Sequence, residues 1–118
     1  MYSIWKYPVE PDFVNQVFKM PIGAEIISFG LDGEDRLCFW AIVNTQAPLE
    51  ERIIACVGTG WPIDNIFSER TSKYVNFIGT ATHAPYVWHL FELGAGADKE
   101  IFEVATESSM EVSDAQSN

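Results

Sequence analysis

Gly58-Thr59-Gly60-Trp61-Pro62-Ile63 closes an apolar, strand-like run with two glycines, a hydroxyl and an indole, the residue types that make a site for a small polar ligand. Glycines let backbone N–H groups approach a ligand, the Thr59 hydroxyl both donates and accepts, and the Trp61 indole offers a flat apolar face to a ring. Gly79-Thr80 ends a second strand-like run in the same way, so the two Gly-Thr pairs are expected to converge on one end of a sheet. With His89 from the neighbouring apolar run, the ligand-binding set in this reading is Gly58, Thr59, Gly60, Trp61, Thr80 and His89. A phosphate loop does not fit, because GxxxxGK[ST] is absent and no lysine follows closely. A plainer role carries more weight: the glycines permit a bulge or a positive φ where the strand leaves its sheet, and Trp61 folds over the edge of the core.

Other chemistry finds less support. His83 sits in a turn and His89 in an apolar run, and neither is accompanied by a serine or cysteine nucleophile motif, so His89 reads as a hydrogen-bonded structural residue. Zinc needs three or four ligands, and two distant histidines with two strand-borne cysteines, Cys38 and Cys56, make a poor set. The carboxylate pairs Glu34-Asp35 and Glu50-Glu51 fall in solvated turns, where a pKa shift useful for acid catalysis is not expected. The residues therefore point to a non-enzyme, with no catalytic residue, metal or cofactor expected.

Those residues are positioned by a chain of 118 residues, 47% hydrophobic and 14% aromatic, which fits one folded domain rather than a disordered segment. Seven Lys and Arg stand against 17 Asp and Glu, a formal charge of −10. This balance opposes direct nucleic-acid binding, which draws on Lys and Arg to displace counterions, and suits a basic protein partner or simply solubility. No run approaches the ~20 apolar residues of a membrane span, and no basic-then-apolar leader opens the chain, so a soluble protein acting away from membranes is expected.

Short aromatic and β-branched runs over residues 3–8 and 13–20 read as an opening hairpin, and residues 24–31 and 36–44 as a second one about Asp32-Gly33-Glu34-Asp35. Residues 36–44 and 51–57 are apolar on both strand faces, as central covered strands would be. Pairing these two about Ala47 would set Cys38 beside Cys56, expected as packed thiols. A loop with one helical turn, with Asp64 as its cap, spans 62–70, and residues 73–80 and 86–93 make the last strand pair. The fold class is mainly β: a single antiparallel sheet, a sandwich or a small barrel of about seven short strands with one helical turn and an acidic C-terminal extension.

The domain so read covers residues 1–93. Beyond it, Gly94-Ala95-Gly96-Ala97 reads as a flexible hinge, and residues 98–118 carry six acidic side chains against Lys99 alone. Glu100, Glu103, Glu107, Glu111 and Asp114 recur at spacings of three and four, so a helix formed on binding would gather them on one stripe against a basic partner. Like charges at that spacing weaken an isolated helix, which favours disorder in the free tail.

In order, Trp5-Lys6-Tyr7-Pro8, Met20-Pro21-Ile22-Gly23-Ala24, Leu37-Cys38-Phe39-Trp40-Ala41, Gly58-Thr59-Gly60-Trp61-Pro62-Ile63, Phe77-Ile78-Gly79-Thr80 and Val87-Trp88-His89-Leu90-Phe91-Glu92 resemble the pattern YKYP, PxGA, LWA, YGTGHPI, YIGT, WHVFE of a family of small uncharacterised phage and prophage proteins. The resemblance spans residues 4–92 and departs at Trp61, where the pattern has histidine, so a mechanism needing that histidine would not transfer. It implies a phage setting and action in the host cytoplasm, with the tail outside the shared pattern. On this basis the expected function is a non-enzymatic accessory protein that binds and inhibits a host antiviral defence component, as an anti-CRISPR does, through acidic surfaces. The alternatives are a protein that sequesters a nucleotide signal at the Gly58–Trp61 end, and a virion or assembly component, for which homo-oligomers would be natural.

Overall fold

The computed structural model describes residues 1–11, 14–68, 72–94, 109–111 and 116–117. Period-two alternation of apolar side chains builds seven strands: β1 Tyr2–Pro8, β2 Asn15–Pro21, β3 Glu25–Leu31, β4 Leu37–Asn44, β5 Leu49–Gly58, β6 Val75–His83 and β7 Tyr86–Leu93. They form two antiparallel sheets, β3-β4-β1 and β6-β7-β5-β2, facing each other without closing into a barrel. Two short segments add to the edges: β8, Ser109–Glu111, runs parallel beside β2, and β9, Gln116–Ser117, antiparallel beside β1. Glu111 thus lies in a strand rather than on a helical stripe, while Glu100, Glu103, Glu107 and Asp114 lie outside the described residues.

Between the sheets, alternate residues of each strand meet in one core: Tyr7 from β1, Phe18 and Met20 from β2, Phe39, Ala41 and Val43 from β4, Ile54 and Cys56 from β5, and Trp88 and Leu90 from β7. Tyr7 stacks on Phe39 with ring centroids 4.9 Å apart, and Phe18 meets both rings edge-on. A second cluster covers the outer face of the four-stranded sheet, where Ile66 packs on Val17, Ile53, Ala55, Val57 and Leu93. The loop after β5 delivers it: Ile63 O accepts from the N–H groups of Ile66 and Phe67, a single turn at the expected place, and a short 3-10 helix, Ser72–Tyr74, precedes β6. Gly94 follows β7 where any Cβ would stand 2.8 Å from Tyr74 Cβ, and its N–H donates to Tyr74 O, so this glycine fastens the strand end rather than freeing it.

Two expected hairpins are absent. β1 pairs with β4 and β2 with β5, so consecutive strands β1 and β2 belong to different sheets instead of forming a hairpin. The turn near Ala47 likewise passes between sheets: Cys38 lies opposite Pro8 and Gly30, Cys56 opposite Leu90, and the two thiols are not cross-strand neighbours. The β3–β4 and β6–β7 hairpins form as read from the sequence.

Asp32 explains why the β3–β4 turn closes so firmly. Its carboxylate accepts from the Glu34 and Arg36 backbone N–H groups, from the Lys6 ammonium at 3.0 Å and from the Arg36 guanidinium. The Arg36 N–H and then the two side-chain donors hold it well below the usual carboxylate range, so its stabilisation is present above the unfolded value near 4 and is lost only as strong acid protonates it.

At the alkaline end the sign reverses. Burial pushes the Cys56 thiol up to about 12 and the Cys38 thiol, with the Asp32 charge nearby, to about 11; burial also lifts the Tyr7 phenol to about 12 against the pull of Arg52. A raised folded pKa gives stability that is complete below the unfolded value and lost as pH rises through the folded one. Urea midpoints should therefore hold steady up to about pH 8.5 and fall progressively above it. C56A should shallow that fall; an unchanged slope would show that its thiol is not the titrating group.

Candidate functional site

Three features stand out, and the first is the end of the four-stranded sheet that the sequence singled out. The antiparallel register sets Val57 opposite His89 and Thr80 opposite His89, so Thr59, His89 and Thr80 share the outer face. Thr59 Oγ1 lies 2.7 Å from His89 Nε2, and Thr80 Oγ1 3.0 Å from His89 Nδ1, so both ring nitrogens are engaged by hydroxyls. Each hydroxyl can donate to or accept from the nitrogen it faces, so both ring positions are satisfied. Trp61 lies on the opposite face. Gly58 shares the inner phase of Cys56 and Trp88, and a Cβ there would stand 3.0 Å from the indole, so the ring lies against bare backbone. Its edge-to-face partner is Trp88 at 5.3 Å, with Tyr86 beyond at 5.6 Å from Trp88. Gly60 completes the turn with φ of 88°.

The structure thus gathers all six residues at one sheet end but divides them between its faces. Thr59, Thr80 and His89 form one polar cluster, while Gly58, Gly60 and Trp61 cap the sandwich core. The ligand pocket expected with a stacking Trp61 beside the Thr59 hydroxyl is not built, because the tight turn after β5, with Trp61 N–H donating to Gly58 O and Gly60 at positive φ, folds the indole back against Gly58 and Trp88.

A second feature escaped the sequence reading. At the opposite end of the sandwich, β3 and β6 diverge around a cleft of about 520 Å3 whose lining includes Glu25, Ile26, Ile27, Asn76, Ile78 and, at its floor, Arg52 and Glu92. Arg52 Nε and Nη2 donate to the two Glu92 oxygens at 2.6 and 2.8 Å, and Nη1 donates to Ala24 O at 2.5 Å. Burial works against the Arg52 charge, but Glu92 and the nearby Glu50 raise its pKa on balance. Arg52 belongs to the same inward phase as Ile54 and Cys56, and Glu92 to that of Trp88 and Leu90. An arginine and a glutamate, each falling on an apolar strand's inward phase, were the available signal.

The third feature is the outer face of the three-stranded sheet. Ile4 lies opposite Ile42, Lys6 opposite Trp40, and Tyr2 opposite Asn44. Tyr2 is 74% exposed, Ile4 49% and Ile42 37%, with Trp40 half-buried beside Ile42 at the Lys6 end of the row. On the far side Ile42 lies opposite Glu25, so this apolar face runs up to the cleft. Among the described residues no group of three or more His, Cys, Asp or Glu side chains is set to hold a metal, and no helix is long and apolar enough to cross a membrane.

A family model described as a domain of unknown function, DUF7352, matches residues 1–100. No curated protein and no solved structure matches the chain.

Proposed function

The chain belongs to the DUF7352 family, and from that premise we propose that it is a non-enzymatic binding protein that acts by occupying the surface of another protein. The observation that carries this reading is the exposed apolar row of Tyr2, Ile4 and Ile42 on the outer face of the three-stranded sheet, since exposed apolar surface of this kind is what protein interfaces bury. A formal charge of −10 favours a basic partner and steers its approach. In the phage setting implied by the resemblance, that partner is a component of host antiviral defence in the host cytoplasm.

Affinity capture with the full chain from host cells should recover one protein in near-equimolar amount, and the I4D/I42D double variant should lose it while keeping its β-rich circular dichroism. Capture that is indifferent to I4D/I42D would remove this face from the function. Recovery of a second copy of the chain alone would make the face a homo-oligomer interface. Glu100, Glu103, Glu107 and Asp114 enter the same reading through charge, tested by deleting residues 95–118 and measuring how far binding weakens.

The Thr59–His89–Thr80 cluster favours a second reading, a site for a small polar ligand such as a nucleotide signal. Three convergent polar side chains, exposed in part, offer donors and acceptors without fixed charge. Calorimetry against cyclic nucleotides and ADP-ribose derivatives should then show binding that T59V and T80V abolish; no heat with any of them ends this reading.

A further inference from the structure

The β3–β6 cleft has the make-up of an anchor point for a single cationic side chain. Its upper wall is aliphatic, with Ile26, Ile27 and Ile78 placed to cover the stem of a long side chain. Its charge is negative on balance: Glu25 and Glu92 line it, and Arg52 is the one cation in its lining. Arg52 is not disposed to take an anion, because three of its N–H groups are committed to Glu92 and to Ala24 O. Asn76 on β6 adds a neutral donor and acceptor to the lining.

The edges flanking the cleft decide what kind of group it takes. β3 pairs with β4 through a register shift that leaves Ile27 unmatched, and β6 pairs with β7 through one that leaves Ile78 unmatched. A bulge interrupts the regular N–H and C=O repeat that an incoming strand needs, so neither edge is a good template for strand addition. Farther along, the two strands close up, a Cβ on Gly79 being 3.5 Å from Phe29 Cβ. What remains is an open cleft between bulged edges, suited to a side chain.

We propose, resting on the protein-binding reading, that this cleft receives an arginine side chain of the basic partner, its guanidinium paired with Glu25 and its stem laid on the exposed bulge residue Ile27. Arginine is preferred over lysine because its planar fork pairs a carboxylate at two points and hydrates less strongly. The cleft adjoins the exposed apolar row through the Glu25–Ile42 pairing, so one partner reaches both.

The test titrates the isotopically labelled full chain with N-acetyl-arginine-N-methylamide at low ionic strength and follows amide shifts. Shifts should concentrate on residues 25–27 and 76–78, E25Q should weaken binding about two- to five-fold, and E25K should weaken it further. D64K, which makes the same charge change on the far loop, should bind as the parent does, and N-acetylglycine should not bind. Shifts elsewhere, equal effects of E25K and D64K, or preference for the carboxylate probe each overturn the proposal. Failure of the two ideas is distinguishable. A captured protein lost by I4D/I42D but kept by E25K leaves the binding reading standing without this anchor. An arginine probe seated in the cleft with no capture dependent on the apolar row leaves the anchor without that reading.

Discussion

Replacing Arg52 with methionine is expected to lower the unfolding free energy by about 3 kcal/mol, read from urea denaturation. The side chains of Arg52 and Glu92 are only 12% and 18% exposed, so the guanidinium cannot be traded for solvent. Its removal leaves the Glu92 carboxylate without its two charged hydrogen bonds and the Ala24 carbonyl without its donor. Desolvated groups stranded in this way cost more than the intact pair contributes. Removing both charges together in R52M/E92L should therefore recover most of the loss. A double variant as unstable as R52M would mean that the guanidinium acts by bridging β5 to the β2–β3 turn at Ala24 rather than by neutralising Glu92. That outcome is visible in the same denaturation series, because R52M and the double variant both lose the Ala24 contact whereas E92L alone keeps it.

The strand architecture was legible because apolar alternation reports burial on a pleated surface. β5 shows it best: Ile53, Ala55 and Val57 pack under the loop after β5, Ile54 and Cys56 face the other sheet, and both faces are buried as their composition implied. β4 carries the same double apolar pattern, yet its outer phase leaves Ile42 exposed and Trp40 half-buried. Periodicity registers that a side chain is apolar; it does not say whether this chain or another molecule covers it. The mistaken hairpins have a related cause. A turn at Asn44–Pro48 looks the same from sequence whether the next strand returns beside β4 or crosses to the facing sheet, and that choice is made by long-range pairing of β1 with β4. The hydroxyl cluster was legible as a set of residues but not as a geometry. Two Gly-Thr pairs and His89 do converge, yet only the geometry of the turn after β5 reveals that Trp61 falls on the opposite face.

The second large effect is expected at Phe39, where truncation to alanine should cost about 3–5 kcal/mol. Phe39 is fully buried at the centre of the three-stranded sheet, with the Tyr7 ring parallel at 4.9 Å and the Phe18 ring edge-on at 5.0 Å. Tyr7 and Phe18 come from different sheets, so the aromatic trio joins the two layers of the sandwich, and a void there cannot be filled by moving one strand alone. Against a total stability of about 5–15 kcal/mol for a domain, F39A should leave a substantial unfolded fraction at 37 °C, visible as an early thermal transition. Trp40 on the same strand supplies the contrast: W40A removes a larger ring from the half-exposed outer face and should cost distinctly less. Y7F is the complementary probe, because the Tyr7 hydroxyl is buried with no hydrogen-bond partner among the described residues, and its removal should leave stability unchanged or raise it. If Y7F destabilises as much as F39A, the hydroxyl serves the fold through a bridging water toward Arg52, and the polar end of the core reaches deeper between the sheets than the protein contacts alone indicate.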